Sequence, residues 1–121
     1  MAKVFLDANI FIDITEGRDK ALAKVLEGNE VCVSTLSIGI WTYVYKRNVP
    51  DDKFAELFDT YNFVDCTVAI AKGSSFGPTE DFEDNVQLNS ALDAGCGVFI
   101  TKDKSLLKLG YFGKVRICES L

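Results

Sequence analysis

The sequence contains no histidine, and this absence narrows the chemistry open to its 121 residues. Its four cysteines stand apart and form no C-x-x-C pair, so a zinc site is disfavoured. Any metal ion would have to be held by oxygen, which favours Mg²⁺ or Mn²⁺. Each cysteine lies in or beside an apolar segment, and all four are interpreted as reduced core thiols. They are Cys32, Cys66, Cys96 and Cys118.

Long apolar runs are also missing. No stretch approaches the roughly 18 residues needed to cross a bilayer, and the opening MAKVFLD lacks the long uncharged segment of a signal peptide. We therefore expect a cytoplasmic protein with no membrane partner. The net charge of −5 means that the overall field would not attract nucleic acid, so such a partner requires local basic patches or a metal ion.

The chain has no internal repeat, low-complexity tract or linker, and we interpret residues 1–121 as one domain. Short apolar runs typical of strands alternate with longer helical patterns. This alternation predicts an α/β fold, with three layers (α/β/α) and a central, mostly parallel sheet of about five strands. The predicted strands are 4–7, 31–34, 63–66, 98–101 and 115–118. The predicted helices are a short one after Asn9, one through RDKALAKVLEG, and 35–47, 51–61, 80–94 and 104–109.

An aspartate interrupts the apolar stretch KVFLDANIFIDI. Burying a carboxylate costs several kcal/mol unless it is paired, hydrogen-bonded or metal-bound. In parallel α/β sheets, ligands bind beyond the carboxyl ends of the strands. Asp7 ends the first predicted strand, Ser34 ends the second, and both Thr101 and Asp103 come at the end of the fourth. We therefore expect these side chains to meet at one edge of the sheet.

The helix predicted from Glu80 carries further acids toward that edge. Its apolar stripe through Leu88 and Ala91 extends backwards to Asp84 and Asp81. Each acid also has an ordinary explanation, as a helix cap or as a first-turn acid favoured by the helix dipole. As a group they are harder to explain, because like charges ~5 Å apart repel by roughly 3 kcal/mol at an effective dielectric of ~20. Such a cluster needs protons or a divalent cation.

These motifs resemble the PIN domain family, which includes VapC-type toxins and other metal-dependent ribonucleases. The resemblance rests on VFLDANIFIDI, VSTLSI and EDFEDNVQLNSALDAGCGVFITKDKSLL. It implies that Asp7, Asp84 and Asp103 are catalytic metal ligands and that Asp81 is an accessory catalytic acid. The polar supporting residues it implies are Asn9, Ser34 and Thr101. It further implies hydrolysis of RNA with Mg²⁺ or Mn²⁺, a homodimer, and an antitoxin protein as the partner in a toxin–antitoxin pair.

One position departs from the family pattern. The usual helix glutamate, six residues after the serine that matches Ser34, falls on Ile40, and no acid occurs between Glu30 and Asp51. The metal cage is therefore expected to lack one carboxylate, so a two-metal clamp is less favoured than a single cation. The alternative function is a catalytically impaired PIN-fold module that binds RNA or protein.

Basic and aromatic residues supply candidate RNA contacts. Lys102 and Lys104 flank Asp103 and could bind neighbouring phosphates, although a solvated lysine face is the simpler interpretation. The segment WTYVYKR could stack bases, but we expect core packing for Trp41 and Val44. The glycine-containing segment 71–80 is expected to be a connecting loop.

Overall fold

The computed structural model describes residues 2–121, which contain a six-stranded sheet. The strand order is β3-β2-β1-β4-β6-β5, and every neighbouring pair is parallel except β5 with β6. The strands are β1 Lys3–Leu6, β2 Glu30–Ser34, β3 Asn62–Val64, β4 Val98–Ile100, β5 Tyr111–Phe112 and β6 Val115–Cys118. All five predicted strands are confirmed. The sixth, β5, has two residues and is too short to leave a pattern in the sequence.

The helices described are α1 Ala8–Thr15, α2 Lys20–Leu26, α3 Thr35–Val44, α4 Lys53–Thr60, α5 Val68–Ser74, α6 Phe82–Asp93 and α7 Lys104–Leu109. Among the described residues, no helix is long and apolar enough to cross a membrane. The expectation of a loop over 71–80 is wrong in its first part, because α5 continues through Ser74. The hydroxyl of Thr67 caps α5, and α5 packs along α6. That packing stabilises a short, glycine-containing helix whose own propensity is weak.

The three central strands, β2, β1 and β4, are buried on both faces, because their alternate residues enter two different cores. Val4 and Leu6 of β1 face a cluster shared with α1 to α4, whereas Phe5 faces a cluster shared with α6 and α7. On that second face, the rings of Phe5 and Phe99 stack with their centroids 5.7 Å apart. Strands buried on both faces read as continuous apolar runs. The predicted three-layer architecture is confirmed.

Helix α3 shows where core assignment from sequence succeeds and where it fails. Trp41 is fully buried, as expected, and packs edge-on against Phe54. The expectation for Val44 is wrong, since 56% of it is exposed, and the neighbouring Tyr43 is 85% exposed. The sequence TLSIGIWTYV is apolar around most of the helix, so periodicity could not identify the buried face.

The cysteines follow the predicted pattern in part. Cys32 and Cys96 are buried, and Cys118 is half-buried. Cys66 is exposed, so its assignment to the core is wrong. The reason is that β3 ends at Val64, two residues earlier than predicted, which leaves Cys66 in the following loop.

We expect Trp41→Phe to lower the free energy of unfolding by about 1–2 kcal/mol, because it removes a partly buried hydrogen bond to a charged group. The Trp41 indole N–H donates to the Glu16 carboxylate at 2.9 Å, and this bond, with Arg47 beside it, holds the pKa of Glu16 below its ordinary value of 4.5. The bond therefore stabilises at neutral pH and loses its effect as the pH falls through the lowered pKa. Urea unfolding at pH 7 and in acid measures both expectations. Tyr43→Phe, at an exposed site on the same helix, is the control, and equal effects of the two substitutions would contradict the assignment.

Candidate active site

Asp7 stands at the carboxyl end of β1 and caps α1. Its backbone N–H donates to the Ile100 carbonyl at 3.0 Å, which fixes it beside the end of β4. Only 7% of Asp7 is exposed, and its carboxylate accepts the Ala8 N–H at 2.8 Å and the Thr101 hydroxyl at 2.7 Å. Asn9, predicted as a supporting residue, lies exposed in the first turn of α1. The buried carboxylate is thus held by two donors.

The hydroxyl of Thr101 connects two of the predicted acids. It donates to Asp7 and accepts the backbone N–H of Asp103 at 3.0 Å. Asp103 caps α7, where its Oδ1 atom accepts hydrogen bonds from Ser105 and Leu106. Strands β1 and β4 are neighbours at the point where the chain order of the sheet reverses. Crevices at such points are the usual ligand sites of open parallel sheets.

Helix α6 brings two more acids to this edge. Asp81 caps the helix, and its Oδ1 atom accepts the backbone N–H of Asp84 at 2.9 Å. The pKa of Asp84 is raised from 3.8 to about 6, first by burial and then by the negative charges of Asp81, Asp7, Asp103 and Glu83. The pKa of Asp84 therefore responds to the charge of each of these four acids. The charges of the other three acids that the sequence nominated, Asp7, Asp81 and Asp103, all act on Asp84.

The acids of this group differ in how readily they ionise. Burial raises the pKa of Asp7, while the hydrogen bonds from Thr101 and Ala8 partly oppose that effect. Hydrogen bonds from Ser105 and Leu106 lower the pKa of Asp103. Asp103 therefore ionises more readily than Asp7 and Asp84, whose charged forms are disfavoured. A cation placed among them would favour the charged forms of both.

Glu83 belongs to the same electrostatic group, although the sequence did not single it out. Burial raises its pKa, and the charges of Asp81 and Asp7 add to the effect. In the sequence Glu83 reads as one of several first-turn acids that the helix dipole would favour. Its position beside Asp84 in E-D-F-E-D was the available signal.

The donor set fits a hard divalent cation in its chemistry, since all of its members are carboxylates. Within residues 2–121, however, no three acidic or cysteine side chains lie close enough to hold one ion together. The capping bonds explain part of this spacing, because Asp81 and Asp103 each direct one oxygen to a helix N-terminus. Mg²⁺ commonly takes only one or two carboxylates and keeps several waters. The spacing is compatible with that mode of binding.

Helix α3 contributes hydroxyls to this edge but no acid. Ser34 is buried and caps α3 by accepting the Leu36 N–H at 3.1 Å. Ile40 is half-buried and packs against the core cluster that α1 to α4 share with the sheet. One further contact, which the sequence did not suggest, joins α6 to α3: the Gln87 side-chain amide donates to the Ser37 hydroxyl at 3.2 Å.

The two predicted RNA-contacting lysines lie on the surface beside Asp103. Lys102 donates to the Asp19 carboxylate at 3.3 Å, and its side chain is 58% exposed. An exposed pair of this kind contributes little to stability and leaves the ammonium group accessible. Lys104 is exposed in the first turn of α7. Both cations are positioned to reach solvent near the acidic group.

No protein-family model matches the sequence, and no curated protein matches it. In its fold, the chain is similar to a chain in the crystal structure of VapBC2 from Rickettsia felis bound to a DNA fragment from their promoter. The TM-score is 0.64, and the alignment covers 95% of this chain and 96% of that one at 10% sequence identity. A likeness at this identity shows a common fold. It agrees with the PIN-like architecture expected from the sequence.

Proposed function

We propose that this protein is a metal-dependent ribonuclease that hydrolyses phosphodiester bonds of RNA. The observation that carries the proposal is the link made by Thr101, whose hydroxyl joins Asp7 to Asp103 at the reversal point of the sheet. Asp84 interacts electrostatically with both of these acids, because the charges of Asp7 and Asp103 each raise its pKa. Carboxylates that oppose one another's ionisation are suited to a divalent cation.

In this proposal Asp7, Asp84 and Asp103 bind Mg²⁺ or Mn²⁺ directly or through its bound waters. The ion supplies a water of lowered pKa and stabilises negative charge on the scissile phosphate. Thr101 keeps the Asp7 carboxylate oriented, and Asp81 serves as an accessory acid that orients water. Lys102 and Lys104 supply positive charge to neighbouring phosphates, which compensates locally for the net negative charge of the chain.

The partners we propose follow from the same likeness. VapC-type toxins, which the sequence resembles, share the Vap name with the structural neighbour from Rickettsia felis. That likeness supports an antitoxin protein as the partner of this chain, whereas the homodimer we propose rests on the family resemblance of the sequence alone. Both are tested by the mass of the protein in solution, alone and after co-expression with the product of an adjacent gene.

The experiment that tests the activity compares Asp103→Asn with the unchanged protein on labelled single-stranded RNA. Asparagine caps helices about as well as aspartate, so α7 should stay folded while the charge is lost. We expect cleavage in Mn²⁺ or Mg²⁺ to fall by at least about a hundredfold, and EDTA to stop it in the unchanged protein.

Asp19→Asn makes the same chemical change at the cap of α2 and is the matched control. It should leave cleavage within about twofold of the unchanged rate, because Asp19 is outside the acidic group and its surface pair with Lys102 is weak. Cleavage that survives both EDTA and Asp103→Asn would have to come from another nuclease in the preparation. That result would remove the proposed function.

A second candidate function is favoured by Ile40, which packs against the core and leaves α3 without an acid. A PIN-fold module with impaired catalysis would bind RNA or protein through the same face and cut slowly or not at all. We expect Ile40→Glu to increase Mn²⁺ affinity if this loss limits the site. Calorimetry decides the matter: tight Mn²⁺ binding by the unchanged protein, with no gain on substitution, would contradict the impaired-module candidate.

A further inference from the structure

We infer that Gln87 is a further ligand residue of the candidate active site, where its side-chain Oε1 atom supplies an uncharged oxygen to the divalent cation. The inference rests on the proposed metal site and adds a residue that neither the sequence motifs nor the fold comparison assigns. It assigns a role to a buried polar side chain that packing alone does not require.

The first observation is an unpaired oxygen. Gln87 is 0% exposed, and its Oε1 atom has no hydrogen-bond partner among the residues that the structure describes. Buried amide oxygens are nearly always paired, and an exception calls for a water, an ion or a functional role. An apolar side chain of similar length would fill the same space without this penalty. An amide oxygen is also a ligand type that hard divalent cations accept.

The second observation places the Gln87 amide at the carboxyl end of the sheet. Its Nε2 atom donates to the hydroxyl of Ser37, which is fully buried in α3. Helix α3 packs on one face of the sheet through Trp41, and α6 packs on the other through Leu88. Because the sheet separates the two helical layers, a hydrogen bond between them can form only beyond the ends of the strands. This bond forms near the start of α3, which follows β2, and β2 is the neighbour of β1 in the sheet.

The third observation is the direction in which the side chain leans. Helix side chains incline toward the helix N-terminus, and residues three apart are neighbours on the helix surface. Gln87 therefore leans toward the turn that carries Asp84. Across from it, α3 presents Ser37 and then Ile40, with no acid in its whole length. Gln87 thus approaches the acidic group from the side on which carboxylates are missing.

A second unpaired atom on the same helix provides a matched control. The Ser90 hydroxyl is also buried without a partner, but it lies one turn farther from Asp84 and from the edge of the sheet. If unpaired atoms on α6 reflect only imperfect packing, Gln87 and Ser90 should behave alike. If Gln87 serves the cation, only Gln87 should affect metal binding.

The test compares Gln87→Met with Gln87→Glu, using Mn²⁺ calorimetry and thermal unfolding in EDTA. Methionine keeps the length of the side chain and removes both polar atoms, so Mn²⁺ binding should weaken by about tenfold. Glutamate keeps an oxygen at the same reach, so binding should be equal or tighter. Without metal the glutamate variant should have the lower Tm of the two, because it buries a charge that no cation compensates. Ser90→Ala should keep the dissociation constant within about twofold of the unchanged value.

The outcomes separate this inference from the proposed function. If the unchanged protein binds no Mn²⁺, the proposed function and the role of Gln87 fail together. If it binds Mn²⁺, Asp84→Asn removes the binding and Gln87→Met does not weaken it, only the role of Gln87 fails. If the methionine variant does not fold, the glutamate variant decides the question. If the glutamate variant binds Mn²⁺ at least as tightly as the unchanged protein and has a lower Tm in EDTA, the inference is supported. If it binds Mn²⁺ more weakly than the unchanged protein, the inference is overturned.

Discussion

Replacing Asp84 by asparagine is expected to stop metal-dependent RNA cleavage and, at the same time, to make the metal-free protein more stable. The pKa of Asp84 is about 6 in the folded chain, against an ordinary value of 3.8, because burial and four neighbouring acids oppose its negative charge. At neutral pH the ionised carboxylate therefore destabilises the fold. Asparagine removes the charge, so we expect a gain of about 1 kcal/mol, reduced from the full effect of the shift because Asp84 is partly exposed.

The pH dependence of this gain has a defined sign. A carboxyl group whose pKa is raised on folding takes up its proton more readily in the folded chain, so its penalty is complete above about pH 6 and disappears as the pH falls toward 3.8. Thermal unfolding in EDTA should show Asp84→Asn with a Tm about 3–4 °C higher at pH 7.5 and close to the unchanged protein near pH 4. Asp52→Asn, at an exposed carboxylate in the other helical layer, is the control. A lower Tm for Asp84→Asn at pH 7.5 would contradict the electrostatic description of the site.

The opposite signs of these two effects bear on function. A carboxylate that weakens the fold and is surrounded by other acids has the properties expected of a cation ligand. Mn²⁺ should accordingly raise the Tm of the unchanged protein and leave that of Asp84→Asn nearly unchanged. A stability gain without any metal response in either protein would indicate an acidic surface that serves another purpose.

The parts of the fold that could be predicted from sequence are those in which local pattern and tertiary packing agree. β1 and β4 are buried on both faces and leave continuous apolar runs. α7 matches its predicted bounds because Asp103 caps its start and Gly110, with φ at +72°, ends it. The missed elements, α5 and β5, depend on their neighbours: α5 on packing against α6, and β5 on pairing with β6. Such dependence leaves little trace in the local sequence.

The candidate site was predictable in location but not in its internal contacts. The strand-end rule found Asp7, and the helical stripe found Asp84. Capping and site membership, which the sequence left as alternatives, prove compatible: Asp7, Asp81 and Asp103 each cap a helix and still contribute to the field at Asp84. Their roles as metal ligands remain predictions.

The contact between Gln87 and Ser37 had no such local signal. These residues are 50 positions apart in the chain, and each is a polar residue in a segment otherwise interpreted by its apolar stripe. Periodicity assigns a face to a helix, but it cannot show which residue of another helix will lie opposite. Only the packing of two layers over the end of the sheet brings this pair together.

Thr101→Val should be the most damaging conservative change at the site. Valine matches threonine in shape but lacks the hydroxyl that donates to Asp7 at 2.7 Å and accepts the Asp103 N–H at 3.0 Å. Asp7 is buried, so losing one of its two donors should lower the free energy of unfolding by about 1–3 kcal/mol at pH 7.5. Cleavage and Mn²⁺ affinity should fall by about 10- to 100-fold, because the carboxylate loses the bond that orients it.

The expected pH response identifies the cause of the Thr101→Val defect. Burial already raises the pKa of Asp7, and without the threonine hydroxyl that pKa should rise further. The folded variant would then bind a proton that the unfolded chain releases, so the stability lost at pH 7.5 should be largely recovered as the pH falls toward 4. Urea unfolding at both pH values measures this recovery, and Thr101→Ser, which keeps the hydroxyl, should retain most of the stability. An equal loss at both pH values would show that packing, rather than the hydrogen bond to Asp7, is what Thr101 contributes.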